Sequence, residues 1–392
     1  MRYKIKKRYI VIAAVNAAAL LSAGGLTMRG NALAKSQYYN YAAERWKGDS
    51  DESFSQISCF ISNEADFNIN NAKTTFYQIQ NKLVDASYDF SGEHRWITQA
   101  YSAPLGVERV GCDMERKAEA DVTAVGGDFF LFHEFRLLDG CFFDDDDIMK
   151  DGAVIDRELA WQLYGSDNVV GMNIYINDVK MYISGVIETP STEPEKKCIG
   201  SKPMAYVSYE SAGLIKGSDA SADFTMSDSM YEDNELPKTN NQDNFSKVTC
   251  YELIIPDPVE NFAINYVEEL FKETYVKDKT MKIVRNTGRF EPKKMAKNFS
   301  KLYKSTIIDD SVAYPFWENA SRVAEFRLSY IFFARRIIMM IPLLTAAWFI
   351  FLLARNYRRK KLYIKRTIAK KADRLWQRLK DIRKTPDRGR NK

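Results

Sequence analysis

At 392 residues the chain is long enough for one large or two ordinary domains. With 28% charged and 45% hydrophobic residues, wholesale disorder is excluded. The net charge of +5 hides a segregation: residues 1–8 carry +5 and residues 355–392 carry +14, while everything between is acidic at −14. A soluble nucleic-acid binder would not place a large acidic middle between two short basic ends, and the pattern points to a membrane protein.

Each basic end abuts an apolar run. Residues 9–26 are interrupted only by Asn16 and Ser22, and residues 337–354 carry no charge between Arg335-Arg336 and Arg355. Eighteen helical residues reach about 27 Å, close to the apolar thickness of a bilayer, and Pro342 is tolerated there more readily than in a soluble helix. A buried core helix is the alternative for the second run. For the first, the alternative is a signal peptide cleaved after Ala34, in the Ala32-Leu33-Ala34 context. Lys/Arg bias puts both ends in the cytoplasm, so the expected order is a basic N-terminus (1–8), a signal-anchor helix (9–26), an extracytoplasmic domain (27–336), a second membrane helix (337–354) and a cytoplasmic basic helix (355–392).

Within the middle, residues 35–50 read as an outward extension of the first helix. Residues 55–67 begin as a strand, and Phe76, Ile79, Leu83 and Val84 give residues 70–87 a helical spacing. Residues 95–110 look like a strand with a turn at Pro104-Leu105-Gly106. After a strand at 120–125, residues 128–136 form a compact aromatic segment ending in Leu137-Leu138-Asp139-Gly140. Asp156 is placed to cap a helix over residues 157–164, and Asn177-Asp178 to turn a hairpin between residues 173–176 and 180–187. Residues 204–207, 249–255 and 281–284 read as strands and 258–275 as an amphipathic helix. Residues 217–246, with seven acids against Lys238, read as a mobile loop. Strands and helices interleaved without strict repetition argue for an α+β domain.

Chemistry is sparse. The two histidines, His94 and His133, lie in no metal-ligand spacing, and His133 reads as a core or interface residue. Phosphate-cradling GxxxxGK, GxSxG and SxxK motifs are all missing. The acidic run Asp144–Asp147 suits a divalent cation by composition, but adjacent loop acids more often simply face water. Phe129, Phe130, Phe132 and Phe135 read as core rather than as a ligand groove. Cys59, Cys112, Cys141, Cys198 and Cys250 are odd in number and widely spaced, so at most two disulfides form, with buried free thiols as the plain alternative. No catalytic, cofactor or metal residue is assigned. The best interaction surface is the tail, where Ile364, Ile368, Ala372, Leu375, Leu379 and Ile382 make one apolar stripe on a basic helix. Ile368, Leu375, Leu379 and Ile382 are its candidate contact residues, for the lipid surface or a partner helix. A solvated tail serving only as topogenic charge is the competing reading.

The middle also resembles the MacB-like periplasmic core domain of MacB/FtsX-type ABC transporter permeases. The likeness rests on Gly127-Asp128-Phe129-Phe130, Phe135-Arg136-Leu137-Leu138-Asp139-Gly140 with Phe143, Ala153-Val154-Ile155-Asp156, Leu163-Tyr164-Gly165, and Ile183-Ser184-Gly185-Val186-Ile187. The run Tyr314-Pro315-Phe316-Trp317-Glu318-Asn319 looks like the membrane-proximal part of such permeases. The resemblance implies an extracytoplasmic domain between two membrane helices of the plasma membrane. Such permeases dimerise beside an ATPase and continue with further helices, where this sequence has its basic tail. The implied role is a non-catalytic accessory or partial permease subunit, with an ABC ATPase, a second permease chain or a homo-oligomer as partner and no nucleic acid. The alternative is a stand-alone membrane-anchored binding or sensing module.

Overall fold

The computed structural model describes residues 7–91, 95–222, 245–259, 261–277, 279–292, 294–295 and 312–383, with backbone only at 218–222 and 379–383. It divides into two compact units, one of Met1–Arg29 with Ile331–Lys392 and one of Gly30–Tyr330.

In chain order, α1 (Lys7–Lys35) ends at a tight turn over Tyr38–Tyr41, and α2 (Ala42–Lys47) follows. Residues 35–50 therefore do not extend the first helix outward. Tyr39, Ala42 and Ala43 are apolar enough to be drawn into the core against Phe54 and Phe60, and the chain folds back to bury them. Strand β1 (Phe54–Ile61) is buried at all eight positions. One face, with Ile57, Cys59 and Ile61, packs in the larger core, and the other, with Phe54 and Phe60, in a second, aromatic one. Helix α3 (Ile69–Asp85) starts from a reciprocal cap in which the Asn68 and Asn71 side chains each accept the other's backbone N–H at 3.1 Å. It buries Ala72, Thr75, Ile79 and Leu83, one per turn.

Strand β2 (Thr98–Cys112) does not turn at Pro104-Leu105-Gly106. It continues through a bulge, pairing Pro104 with Thr123 and Gly106 with Val122 of β3 (Lys117–Gly127), so Leu105 is the extra residue. Pro104 has no N–H to give the ladder and Gly106 takes φ +99°, which suits a bulge as well as a turn. Beyond lie α4 (Phe129–Phe132), β4 (Leu137–Gly140), β5 (Gly152–Asp156), α5 (Arg157–Leu163), β6 (Asn173–Ile176), β7 (Val179–Ile187), α6 (Glu195–Cys198), β8 (Met204–Ser208), α7 (Tyr209–Ala222), β9 (Cys250–Pro256), α8 (Phe262–Phe271), β10 (Met281–Arg285) and α9 (Phe316–Arg383). Asn177 and Asp178 turn the β6–β7 hairpin, both at positive φ (45° and 66°). Residues 217–222, expected as the start of a loop, complete α7; residues 223–244 lie outside the described residues, and Phe245 stacks on Tyr209 at 5.8 Å.

The strand pairings form a closed circuit. β2 pairs β3, β3 pairs β8 in parallel, β8 pairs β5, β5 pairs β7 in parallel, β7 pairs β6, and β6 returns to Val110–Cys112 of β2. The other half of β2, Thr98–Ser102, pairs β9, which continues through β1 to β10 as an open arm. The bulge in β2 thus separates the stretch bound to the arm from the stretch that closes the circuit.

In the unit made by the chain ends, α1 and α9 meet through small residues. Ala19 and Ala23 are buried, the Thr345 hydroxyl donates to Asn16 Oδ1 at 2.8 Å, and the Tyr9 and Phe349 rings lie 6.1 Å apart. Both helices are long and apolar enough to cross a membrane. All five cysteines are free thiols; Cys59, Cys112 and Cys250 are buried, and burial pushes Cys59 and Cys250 above the usual thiol range.

Two stability tests follow from this architecture. Gly140 sits at φ +78°, and a Cβ there would lie 2.1 Å from the Ser184 carbonyl oxygen across the β4–β7 pairing. Gly140→Ala is expected to cost about 2 kcal/mol or more, read as a lower thermal midpoint of the full chain in detergent. Asp156 caps α5 by accepting from Leu159 N–H at 2.9 Å and from the Thr189 hydroxyl at 3.1 Å, yet burial pushes its carboxyl from 3.8 up to about 6. The folded chain then holds a proton that the unfolded chain has released. The resulting stability is full below pH 3.8 and lost as pH rises through about 6. Asp156→Asn, which keeps the capping oxygen, should flatten that slope in melts taken across this range.

Candidate functional site at a buried polar junction

The most unusual chemistry in the Gly30–Tyr330 unit is a run of buried polar groups on the aromatic side of the sheet. It starts where α4 ends. His133 is fully buried, its ring 4.3 Å from that of Phe129 and 4.5 Å from that of Trp317, and its Nε2 lies 2.6 Å from Glu252 Oε2 on β9. The other Glu252 oxygen accepts from Ser58 of β1 at 2.7 Å, and Ser58 accepts from Asn286 Nδ2 at 2.7 Å, just past β10. Asn286 Oδ1 in turn accepts from Arg289 Nη1 at 3.4 Å.

Arg289 is the hub. It makes a two-pronged pair with Glu318 at 2.7 and 2.9 Å and reaches Glu325 at 2.8 and 3.2 Å, both on α9. Burial pulls the guanidinium pKa down, and the two carboxylates together outweigh it and hold the charge. Glu318 also takes a bond from Arg322 at 2.9 Å, whose guanidinium lies 3.5 Å from the centre of the Tyr314 ring. From the other side, Asn40 accepts from Arg289 at 3.3 Å and donates to Ser321 of α9 at 2.8 Å. Gln56 fastens the same stretch, donating to Tyr39 O at 2.7 Å and accepting from Ala42 N–H at 3.0 Å. Arg45 of α2 donates to the carbonyls of Tyr38, Leu131 and Phe132 at 2.8–3.1 Å. The segment before α2, the strands β1 and β9, the exit of β10 and the first turns of α9 are thereby fixed to one another through charged and amide groups. The junction binds elements together; its carboxylates are occupied by protein donors.

The residues singled out by sequence fall elsewhere. Ile368 and Leu375 are exposed on α9, 62% and 61% accessible, and the Leu379 and Ile382 side chains lie outside the described residues. His94 also lies outside them. Within the acidic run, Asp145 accepts from the Tyr101 hydroxyl at 2.8 Å and from Gly127 N–H at 2.7 Å, while Asp144 and Asp147 bond backbone N–H groups of their own turn. Among the described residues no group of three His, Cys, Asp or Glu side chains is placed to hold a metal ion. Phe129, Phe132 and Phe135 pack in the aromatic core with Tyr206 and Trp317. Arg289, Glu252 and Asn286 carried no signal of their own. Glu318 had one, a carboxylate set between Phe316-Trp317 and Arg322.

The sequence profile of the MacB-like periplasmic core domain matches residues 12–231, more than half of the chain. The chain belongs to the MacB-like periplasmic core domain family. Two curated relatives are macrolide export ATP-binding/permease proteins MacB. The one from Pasteurella multocida is 33% identical over 79 residues, covering 20% of this chain and 12% of the relative. The one from Haemophilus ducreyi is 31% identical over 74 residues, covering 18% and 11%. This MacB-like chain therefore spans only a small part of the curated relatives it matches. Among solved structures, the periplasmic region of MacB from Actinobacillus actinomycetemcomitans is similar with a TM-score of 0.38 and 14% identity, covering 64% of this chain and 94% of that one.

The junction of this MacB-like domain is testable by charge removal. Arg289→Ala leaves buried Glu318 with Arg322 as its one remaining cation in the junction and is expected to cost about 3 kcal/mol, whereas Arg289→Met combined with Glu318→Gln should recover most of that loss. Thermal melts of the full chain check both. A single variant within about 1 kcal/mol of wild type would show that the pair does not hold α9 in place.

Proposed function

We propose that this chain is a non-catalytic accessory or partial permease subunit of a MacB/FtsX-type ABC transport complex, acting through its extracytoplasmic domain. The observation that carries the reading is the match of residues 12–231 to the MacB-like periplasmic core domain in a chain whose two ends supply apolar helices. In this proposal both helices cross the plasma membrane and both basic ends lie in the cytoplasm, as the Lys/Arg bias favours. Residues 27–336 then stand outside.

The buried junction supports a mechanical role. α9 is one helix from Phe316 to Arg383, and its first turns are held by Arg289 through Glu318 and Glu325. Displacement of those turns is carried to β10, β1 and β9 through groups that cannot separate without exposing an unpaired charge to an apolar interior. In this proposal ATP hydrolysis is supplied by an ABC ATPase, as these 392 residues contain no Gly-Lys pair and hence no P-loop. That the curated relatives are named export ATP-binding/permease proteins favours an ABC ATPase as this partner, with a second permease chain or a second copy completing the assembly.

The test is a gentle-detergent pull-down of the full-length chain with every partner identified by mass. An ATPase or second permease chain recovered in near-equal amount is the expected result. Recovery of the chain alone, or only with itself, overturns the transport reading in favour of a stand-alone anchored module.

A further inference from the structure

Beyond Arg355, α9 exposes apolar side chains that a water-soluble helix would not. Tyr357, Ile364, Ile368 and Leu375 are 57–69% accessible, in a stretch where residues 355–378 carry eleven Lys/Arg against Asp373 alone. At 100° per residue, Tyr357, Ile364, Ile368, Ala372 and Leu375 fall within an arc of about 80°. Lys360, Lys371 and Arg378 border that arc on one side, Arg358 and Lys365 on the other, and Lys361 interrupts it. Leu379 and Ile382 continue the spacing in sequence.

We propose that this face of α9 docks on anionic phospholipid headgroups of the membrane that the same helix enters. The inference rests on the reading that residues 337–354 cross the bilayer. Three observations select this occupant. An apolar strip flanked on both sides by long cationic side chains matches a flat boundary between acyl chains and anionic headgroups, where the stems bury and the charged ends reach phosphate. A second copy is disfavoured because two such strips would bring like charges together along both borders. The strip also begins within a few residues of Arg355, so the lipid surface is present at very high effective concentration. Docking requires α9 to bend over residues 356–361, where Arg355 and Arg359, Arg358 and Lys361, and Lys361 and Lys365 set like charges three or four residues apart and weaken the helix.

The experiment compares two spin-labelled variants of the full chain, Ile368→Cys on the strip and Gln377→Cys on the opposite side. Cys141 and Cys198, the two thiols not buried, are replaced by Ser in both. Each variant is reconstituted into phosphatidylcholine vesicles with or without about 30% phosphatidylglycerol. Collision with a water-soluble relaxant should be roughly fivefold slower at position 368 than at position 377 in anionic vesicles. The contrast should vanish without the anionic lipid and shrink between about 0.1 and 0.5 M salt. Equal shielding in both lipids would overturn the proposal in favour of a protein contact. Equal exposure in both would assign the tail to solvent, and shielding that appears only on adding RNA would assign it to nucleic acid. Alkaline extraction separates this from the topology beneath it. A chain that stays with the vesicles while both labels are exposed rejects the lipid docking alone, and a chain released into the wash rejects the membrane-spanning reading itself.

Discussion

A guanidinium withdrawn from water is tolerable only where carboxylates replace its hydration, and Arg289 has two of them, Glu318 and Glu325, in the first and third turns of α9. Such a pair adds little net stability over a well-packed apolar contact, because desolvation consumes most of the Coulombic gain. Its contribution is selective. Slide α9 by one residue and Glu318 loses both prongs of its bond while Arg289 stays buried, so alternative seatings of the helix are far costlier than the native one. Apolar packing by Trp317, Ala320, Ala324 and Leu328 would by itself allow neighbouring registers at smaller penalty.

The fixed seating is useful only if what lies behind it is rigid, and the sheet supplies that. β1 and β9 are buried on both faces, and the polar chain from Arg289 through Asn286 and Ser58 to Glu252 crosses them at their aromatic side. β2 carries the arm into the closed circuit, where each of six strands has at least two hydrogen-bonded neighbours. A strand held on both sides cannot peel away singly, so movement imposed at the junction shifts the arm against the circuit or moves both together.

Local rules made much of this legible in the sequence. Asp156 before an apolar helix, Asn177-Asp178 between two alternating runs, and the spacing of Ile79 and Leu83 each encode their element within a few residues, and each element forms where expected. The two apolar runs are legible for the same reason, since length and absence of charge are one-dimensional properties. The failures lie where tertiary context decides. Pro104-Leu105-Gly106 satisfies a turn and a bulge equally, and only the presence of β6 on one side and β9 on the other selects the bulge. Residues 35–50 have helical propensity, but the aromatic cluster captures Tyr39 and Ala43. The junction is the extreme case: His133, Glu252, Arg289 and Glu318 meet from four separate segments, and no periodicity links them.

What the junction does not offer is as informative as what it binds. Glu252 spends both oxygens on His133 and Ser58, Glu318 spends both on Arg289 and Arg322, and Asn40 and Asn286 use oxygen and nitrogen alike within the protein, while His133 Nδ1 and Trp317 Nε1 are buried without a hydrogen-bond partner among the described residues. These side chains are charged and buried, the features that often mark an active site, and Arg289, Glu318, Arg322 and Glu325 line a cavity with Lys294 and Met295, yet the Glu318 oxygens there are already paired with Arg289 and Arg322. Polar groups so committed hold the strands and the start of α9 in one relation, which is what the proposed mechanical role requires.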